Sequence, residues 1–512
     1  MEDQPNNQQN QNEGSEEVAK KSATEQIISD IIKGPAELFH DQRNEAYIAP
    51  QGDGSQIIRL DSGSFSKWLH YYYWEKLHKS LPRDANAKVA DTLIAYATYK
   101  GFQHNLGVRV VKDDQGLWYD LGNGQTVQIT EHGWTVVSEP PILFRRFQHQ
   151  LAQAVPEAGG EIETLRLHFN IASDEDWLLC LVNLVAAFIP GFPHPILILY
   201  GPQGAGKTTP MRLMKKLIDP SSIQGLPLFT AGQDFMQIAD HHAFLFFDNL
   251  STMPTKTSDA LARASTGDGF SKRKHYTNDD DFVYQIQLPI ALNGINQVVT
   301  KPDLLDRSIL IKLERIKPTE RMSEEMFWEA FEGTKPQILG AIFDVLTKAL
   351  SIYPSIDLDE VPRMADFTRW GCAIAQAIGK TQQQFLDAYK HNIAVQNEEA
   401  IDASPVAKAV IMLLKDRNSW EGSPAELLAL FNSKFFSLNL SSNPLWPKAP
   451  EWMTRRLNDV ATNLSVIGIH VDIKKTSEGR LISLSKELKD ADNADLLTTD
   501  QDDSKTVESA SL

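Results

Sequence analysis

Cysteine is nearly absent: Cys180 and Cys372 are the only two in 512 residues, far apart and without the paired spacing of a zinc or redox motif. A disulfide framework is excluded, and a reducing compartment is expected. Long apolar runs are missing as well. The most apolar stretch, 177–190 (WLLCLVNLVAAFIP), has 14 residues, includes Asn183 and follows Asp174, Glu175 and Asp176, whereas a membrane span takes about 20. It reads as a buried helix with an acidic first turn. Residues 1–14 are polar, Gln/Asn-rich and lack the apolar centre of a secretory signal. These absences predict a cytoplasmic protein with no membrane partner. No repeat of about 20 to 50 residues is visible, so solenoids and propellers are set aside.

Positive charge is in short supply too, since 50 Lys and Arg face 67 Asp and Glu for a net charge of −17. The deficit sits at the ends: residues 1–25 hold six acids and two bases, and 487–512 hold eight acids and two bases. Both read as disordered acidic tails. The body between them is only mildly acidic, so local basic patches remain available for nucleic acid. An apolar fraction of 42% supplies a sizeable core, and the length corresponds to two to four domains at about 100–200 residues each.

Residues 26–165 read as a small N-terminal α+β domain. Two strand-like runs within 37–60 flank the turn-prone Gln51-Gly52-Asp53-Gly54, a helical segment at 65–78 carries Trp68, Tyr71, Tyr72, Tyr73 and Trp74, and 107–137 alternates like β structure. Those aromatics suit a domain core better than a base-stacking platform, which comes with interleaved Arg and Lys. No acidic constellation of a primase or nuclease site occurs there. Residues 166–335 alternate apolar runs with helical stretches, as an α/β parallel sheet does, with strands expected at 195–200, 243–247, 287–292 and 308–313. Residues 336–402 read as helical.

The first of those strands runs into Gly201-Pro202-Gln203-Gly204-Ala205-Gly206-Lys207-Thr208-Thr209, which fits G-x-x-x-x-G-K-[ST] and precedes a helical segment. Glycines there let backbone N–H groups turn toward phosphates, Lys207 neutralises their charge and the Thr208 hydroxyl ligates Mg²⁺. The second strand ends in Asp248, 41 residues after Lys207, as a second magnesium-holding group. Where many such enzymes place a water-activating acid, this chain has Asn249. The third strand ends at Asn293, whose amide suits an attacking water. Arg307, at the start of the fourth, stands between a helix end and the next strand, where ring-forming ATPases put a finger that reaches the neighbouring subunit's nucleotide; the plainer reading is an ion pair with Asp303 or Asp306.

This order of elements resembles AAA+ P-loop ATPases related to superfamily-three helicases, in particular the primase-associated or poxvirus-primase-like ATPases of phages, plasmids and integrated elements. The resemblance extends over Ser258 to Arg273, Asn293-Gly294-Ile295 and, loosely, the second-sensor-like Pro362 to Phe367. It implies ATP and Mg²⁺ as cofactors and a homo-oligomeric, hexameric ring that hydrolyses ATP while translocating on single-stranded or forked DNA, with a primase or other replication protein as a further partner. It also implies that the basic segment Lys272, Arg273, Lys274 and His275 forms a pore hairpin gripping the DNA backbone, as phosphate contact needs charge and not base reading. A solvated turn pairing with Asp279 to Asp281 is the alternative. The rival function is an ATP-dependent assembly or regulatory switch, a loader or defence component without unwinding, which Asn249 favours.

Residues 403–486 show three helices, at 404–414, 423–431 and 450–464, then two strands, at 467–473 and 480–484, the make-up of a winged helix. Eleven Lys or Arg face seven acids there. Arg455 and Arg456 on the third helix and Lys474 and Lys475 on the wing are the expected DNA contacts. His241 and His242 have no Cys or acid at ligand spacing and read as helix-end or core histidines.

Overall fold

A computed structural model describes residues 22–50, 57–229, 232–250, 253–267, 269–273, 281–294, 302–358, 364–434, 443, 445–477 and 479–487. Its contacts gather the chain into two units, 1–108 with 138–146, and 109–137 with 147–512.

In the first unit a capping box between Ser22 and Glu25 starts α1 (Ala23–Lys33). Strands β1 (Glu37–Asp41), β2 (Ala46–Ala49) and β3 (Ile58–Arg59) pair antiparallel. After α2 (Gly63–Leu77) and α3 (Arg83–Lys100), β4 (Gln103–His104) returns parallel to β1, giving the order β3-β2-β1-β4. Ile27, Ile31, Ile48, Phe65, Leu69, Tyr73, Val89 and Leu93 form the core. The aromatic cluster is thus split. Tyr73 is buried and Trp68 stacks on Tyr72 at 5.1 Å, whereas Tyr71 and Trp74 are 64% and 52% exposed.

The second unit opens with an antiparallel meander of β5 (Val110–Asp113), β6 (Gly116–Asp120), β7 (Thr126–Thr130) and β8 (Gly133–Val137). Leu117, Tyr119, Val127 and Ile129 point inward and join the unit's largest core cluster. The apolar stretch at 177–190 is indeed interior: Ser173 caps α4 (Asp174–Ala186), and every residue from Trp177 to Ala186 is buried.

Next come β9 (Ile196–Tyr200), α5 (Thr208–Ile218), α6 (Gly232–Asp240), β10 (Leu245–Leu250), α7 (Thr255–Thr266), a two-stranded antiparallel ribbon of β11 (Gly269–Arg273) and β12 (Asp281–Gln285), then β13 (Ile290–Gly294), α8 (Pro302–Leu305) and β14 (Ser308–Lys312). Four of these strands form a parallel sheet in the order β10-β13-β9-β14. Along β9, Ile196 and Ile198 enter one apolar cluster while Leu197 and Leu199 enter another, so both faces are covered and the strand needs no polar alternation.

Beyond the sheet, α9 (Glu324–Ile352) is long and apolar enough to cross a membrane by length and composition, a feature the apolar-run reading passed over. Half of its apolar stretch is buried inside the protein, with Phe331, Ile338, Ile342, Phe343 and Leu346 in the core. Helices α10 (Ala365–Ala377) and α11 (Gln382–Ala403) follow. The C-terminal part comprises α12 (Pro405–Leu413), β15 (Ser419–Gly422), α13 (Pro424–Lys434), α14 (Pro450–Val466), β16 (Ile469–Thr476) and β17 (Gly479–Lys486), with the sheet order β15-β17-β16. Val406, Val410, Leu427, Phe431, Leu457, Ile482 and Leu484 make its core. The three helices and last two strands fall where the sequence puts them; β15 was not foreseen.

Candidate functional site

The glycine-rich motif lies between the end of β9 and the start of α5. Gly201 has φ of +152°, and a Cβ there would collide with the Leu313 carbonyl oxygen; Gly206, at φ +73°, would push a Cβ to within 2.9 Å of Ile316 Cδ1. Gly201 is required because the backbone following β14 lies directly against the loop, and Gly206 because its left-handed φ strains any other residue. Asn170 fastens the two together, its Nδ2 donating to Glu314 O at 2.6 Å and Ala205 O at 3.3 Å. Lys207 Nζ donates to the carbonyls of Gly201 at 2.8 Å and Pro202 at 3.0 Å, and partial burial lowers its pKa.

At the first residue of α5, Thr208 Oγ1 donates to Asp248 Oδ1 at 3.1 Å, and Asn293 Nδ2 lies 3.4 Å from the same hydroxyl. Asn293 Oδ1 accepts from the Asn249 N–H at 2.7 Å. Asn249 has φ of +56°, a left-handed conformation that asparagine tolerates better than most residues. The register between β10 and β13 shifts between Phe247 and Leu250, so this turn of backbone is what presents Asp248 and Asn249 at the strand end. Gln203 to Thr209, Asp248, Asn249, Asn293 and Gly294 line one cleft of about 450 Å³, joined by Arg212, one turn along α5. A glycine-rich loop, one ammonium and paired hydroxyl and carboxylate oxygens on one cleft can hold a phosphate chain and a hard divalent cation.

Arg307 does not line that cleft. Its guanidinium donates to Ala262 O at 3.1 Å, Thr266 Oγ1 at 3.2 Å and Asp303 Oδ1 at 3.2 Å, tying the end of α7 to α8. Lys272 and Arg273 belong to β11, with Arg273 opposite Asp281 in antiparallel pairing with β12; Lys274 and His275 lie outside the described residues, as does Arg363, the expected nucleotide contact of the second-sensor-like segment. Arg455 is exposed and stands over the Trp452 ring at 5.5 Å, while Arg456 pairs with Asp459 at 3.6 Å. On β16 Lys474 pairs with Asp472 at 2.7 Å, and Lys475 stands opposite Arg480 across the β16–β17 ladder.

A second polar cluster, missed from the sequence, clamps the opposite end of α5. Lys215 Nζ donates to Asp219 Oδ2 at 2.6 Å, Phe244 O at 2.6 Å and His242 Nδ1 at 3.1 Å, and Asp219 Oδ2 also accepts from Ala243 N at 3.0 Å. Arg109 Nε lies 3.6 Å from Asp219 Oδ1, and both residues are buried. Burial alone would raise the Asp219 carboxyl, but the Lys215 charge, His242 and Arg109 hold it far below the usual carboxylate range. His149 rests on His242 at 4.2 Å; burial and that neighbour lower it to about 4. Tyr119 Oη and Gln153 Nε2 donate to the Leu217 carbonyl at 3.0 and 2.8 Å. The only sequence signal was the i, i+4 spacing of Lys215 and Asp219; the other partners come from distant segments. His242 is a core histidine as expected.

Two family models match consecutive parts of the chain: the actinomycete integrative conjugative element replication protein over residues 162–399, and the C-terminal domain of that RepA protein over 406–499. No curated protein matches. Among solved structures, an active helicase, Cch of SCCmec type IV, is 10% identical, with 88% of this chain and 93% of that one covered and a TM-score of 0.47. The C-terminal region of NrS-1 is 10% identical over 91% of this chain and 98% of that one, with a TM-score of 0.40. A JCV helicase is 13% identical over 44% and 66%, with a TM-score of 0.22.

Proposed function

The chain belongs to the replication-protein family of actinomycete integrative conjugative elements, and from that premise we propose that it is a DNA-dependent ATPase of replication-helicase type, acting as a ring of identical subunits. The observation that carries this reading is the convergence of the glycine loop, Thr208, Asp248 and Asn293 on one cleft. Residues 166–335 are then the AAA+ P-loop core and 403–486 a winged helix. Thr208 and Asp248 fit Mg²⁺, both offering oxygen at the loop end; when bound it would neutralise charge between the β- and γ-phosphates. Lys207 exchanges its carbonyl partners for phosphate oxygens. Asn293, fixed by its bond to the Asn249 N–H, orients a water for in-line attack.

The second reading is a nucleotide-driven assembly switch with slow turnover. Asn249 supports it, since an exposed amide in the cleft cannot take a proton from water as a carboxylate would. Phosphate release measured with and without single-stranded oligonucleotide separates the two: a several-fold rise in kcat with DNA is expected, and a rate indifferent to DNA at saturating oligonucleotide would favour the switch.

Arg307 is proposed to act in trans once its guanidinium leaves Ala262, Thr266 and Asp303. Arg307→Ala should therefore bind ATP normally yet lose turnover, and mixing it with Lys207→Ala subunits should restore activity, because an intact loop from one can face an intact arginine from the other. Co-assembled mixtures as inactive as either parent, together with a lowered melting temperature of Arg307→Ala, would make it an internal anchor instead.

A further inference from the structure

As the outer strand of the parallel sheet, β14 has one backbone edge that pairs with no strand among the described residues. Side chains of α11 take the strand's place. Asn392 Oδ1 accepts from Leu310 N at 3.0 Å while its Nδ2 donates to Leu310 O at 2.7 Å, and Gln396 Nε2 donates to Ser308 O at 2.6 Å and to Asn392 Oδ1 at 3.1 Å. Both amides are buried. Arg307 immediately precedes this grip, and its own carbonyl accepts from Ile196 N at 2.9 Å, so the arginine's backbone is fixed from both sides.

One residue beyond Gln396, α11 turns to the C-terminal part: Asn397 Oδ1 accepts from Asn463 Nδ2 of α14 at 2.8 Å. Asn463 is buried, and its Oδ1 has no hydrogen-bond partner among the described residues. A half-satisfied buried amide is a poor choice for stability, where leucine would serve better.

We propose that α11 is a coupling rod, with Asn392 and Gln396 as positioning residues for Arg307 and the Asn397–Asn463 bond making that position answer to what the C-terminal module holds. The hydrolysis half of this inference rests on the functional reading above; the mechanical half does not.

Asn463→Leu breaks the link without touching the cleft or β14. In the full chain it should keep ATP affinity and basal turnover while losing the kcat response to single-stranded DNA. Asn392→Leu, at the sheet end, should lower kcat with KM for ATP unchanged. Independently, amide exchange of residues 405–466 should change when the wild-type chain binds a non-hydrolysable ATP analogue, and Asn463→Leu should abolish that change. Retention of both the DNA response and the exchange response in Asn463→Leu overturns the proposal, as does a wild-type C-terminal module whose exchange ignores nucleotide. A wild-type chain that binds the analogue and shows the exchange response but hydrolyses no ATP sinks the functional reading and leaves the rod standing.

Discussion

Lys207→Ala is expected to bind ATP more weakly than the wild-type chain by roughly two orders of magnitude or more. The ammonium makes two hydrogen bonds to loop carbonyls, at 2.8 and 3.0 Å, and in the proposed reading it turns from them to as many phosphate oxygens of full negative charge. Charge-assisted bonds contribute about 1.5–3 kcal/mol each, and about 1.4 kcal/mol is tenfold in affinity. The fold should survive, because Lys207 is only partly buried and the loop is held from behind by Asn170 and the Ile316 N–H, which donates to Gly204 O at 3.2 Å. Calorimetric titration with ATP reads the loss directly, alongside an unchanged circular-dichroism spectrum. Wild-type affinity in this variant would remove the phosphate-binding assignment of the whole loop.

Asp219→Ala should damage the fold and not the chemistry. It leaves Lys215 and Arg109, 3% and 1% exposed, without their shared carboxylate. Removing one partner of a buried ion pair costs about 3–5 kcal/mol, and because a kcal/mol shifts melting by about 2–4 °C in a domain of about 150–250 residues and by less in a larger one, the unit should melt several degrees lower. Replacing the pair together, as Lys215→Met with Asp219→Leu, should cost less than the single change, because one buried cation and not two is then left without the carboxylate, and that one, Arg109, still donates to the carbonyls of Asp120, Leu151 and Pro220. Thermal melts of the three variants decide it. A single variant as stable as wild type would mean that water or rearrangement compensates the cluster and that it does not clamp α5 to β10.

What the sequence made legible was whatever chemistry repeats locally. The glycine motif between an apolar strand and a helix, the acid at the end of β10, the amide at the end of β13 and the alternation of the last three helices and two strands each depend on neighbours within a dozen residues, and the structure has them at those places. Strand limits moved: β10 is Leu245–Leu250 and not 243–247, so Asp248 lies within it, and β13 is Ile290–Gly294 and not 287–292, its ladder with β10 opening at the Pro289 carbonyl, which accepts from Leu245 N at 3.1 Å. Contacts between distant segments were illegible. Nothing in the alternation of 110–137 says which core those strands join, and nothing near Arg109, itself at φ +65°, points to Asp219. Arg307 illustrates the limit at one residue. Its position suggested a reach outward, and its Asp303 partner was foreseen, but the bonds to Ala262 and Thr266 come from a helix some 40 residues earlier.

The interleaving of the two units bears on inheritance. Elements that move between chromosomes exchange stretches of sequence, and a stretch is useful to the recipient only if it folds with what it brings. Because the second unit takes in 109–137 as well as 147–512, a crossover at residue 162, where the family likeness begins, would deliver the cleft without Tyr119 and Gln153, which hold the Leu217 carbonyl at the end of α5, and without Arg109 beside Asp219. The smallest portion that travels with its cleft and the supports of α5 intact therefore starts no later than Arg109, and lineages of this protein should recombine upstream of that point.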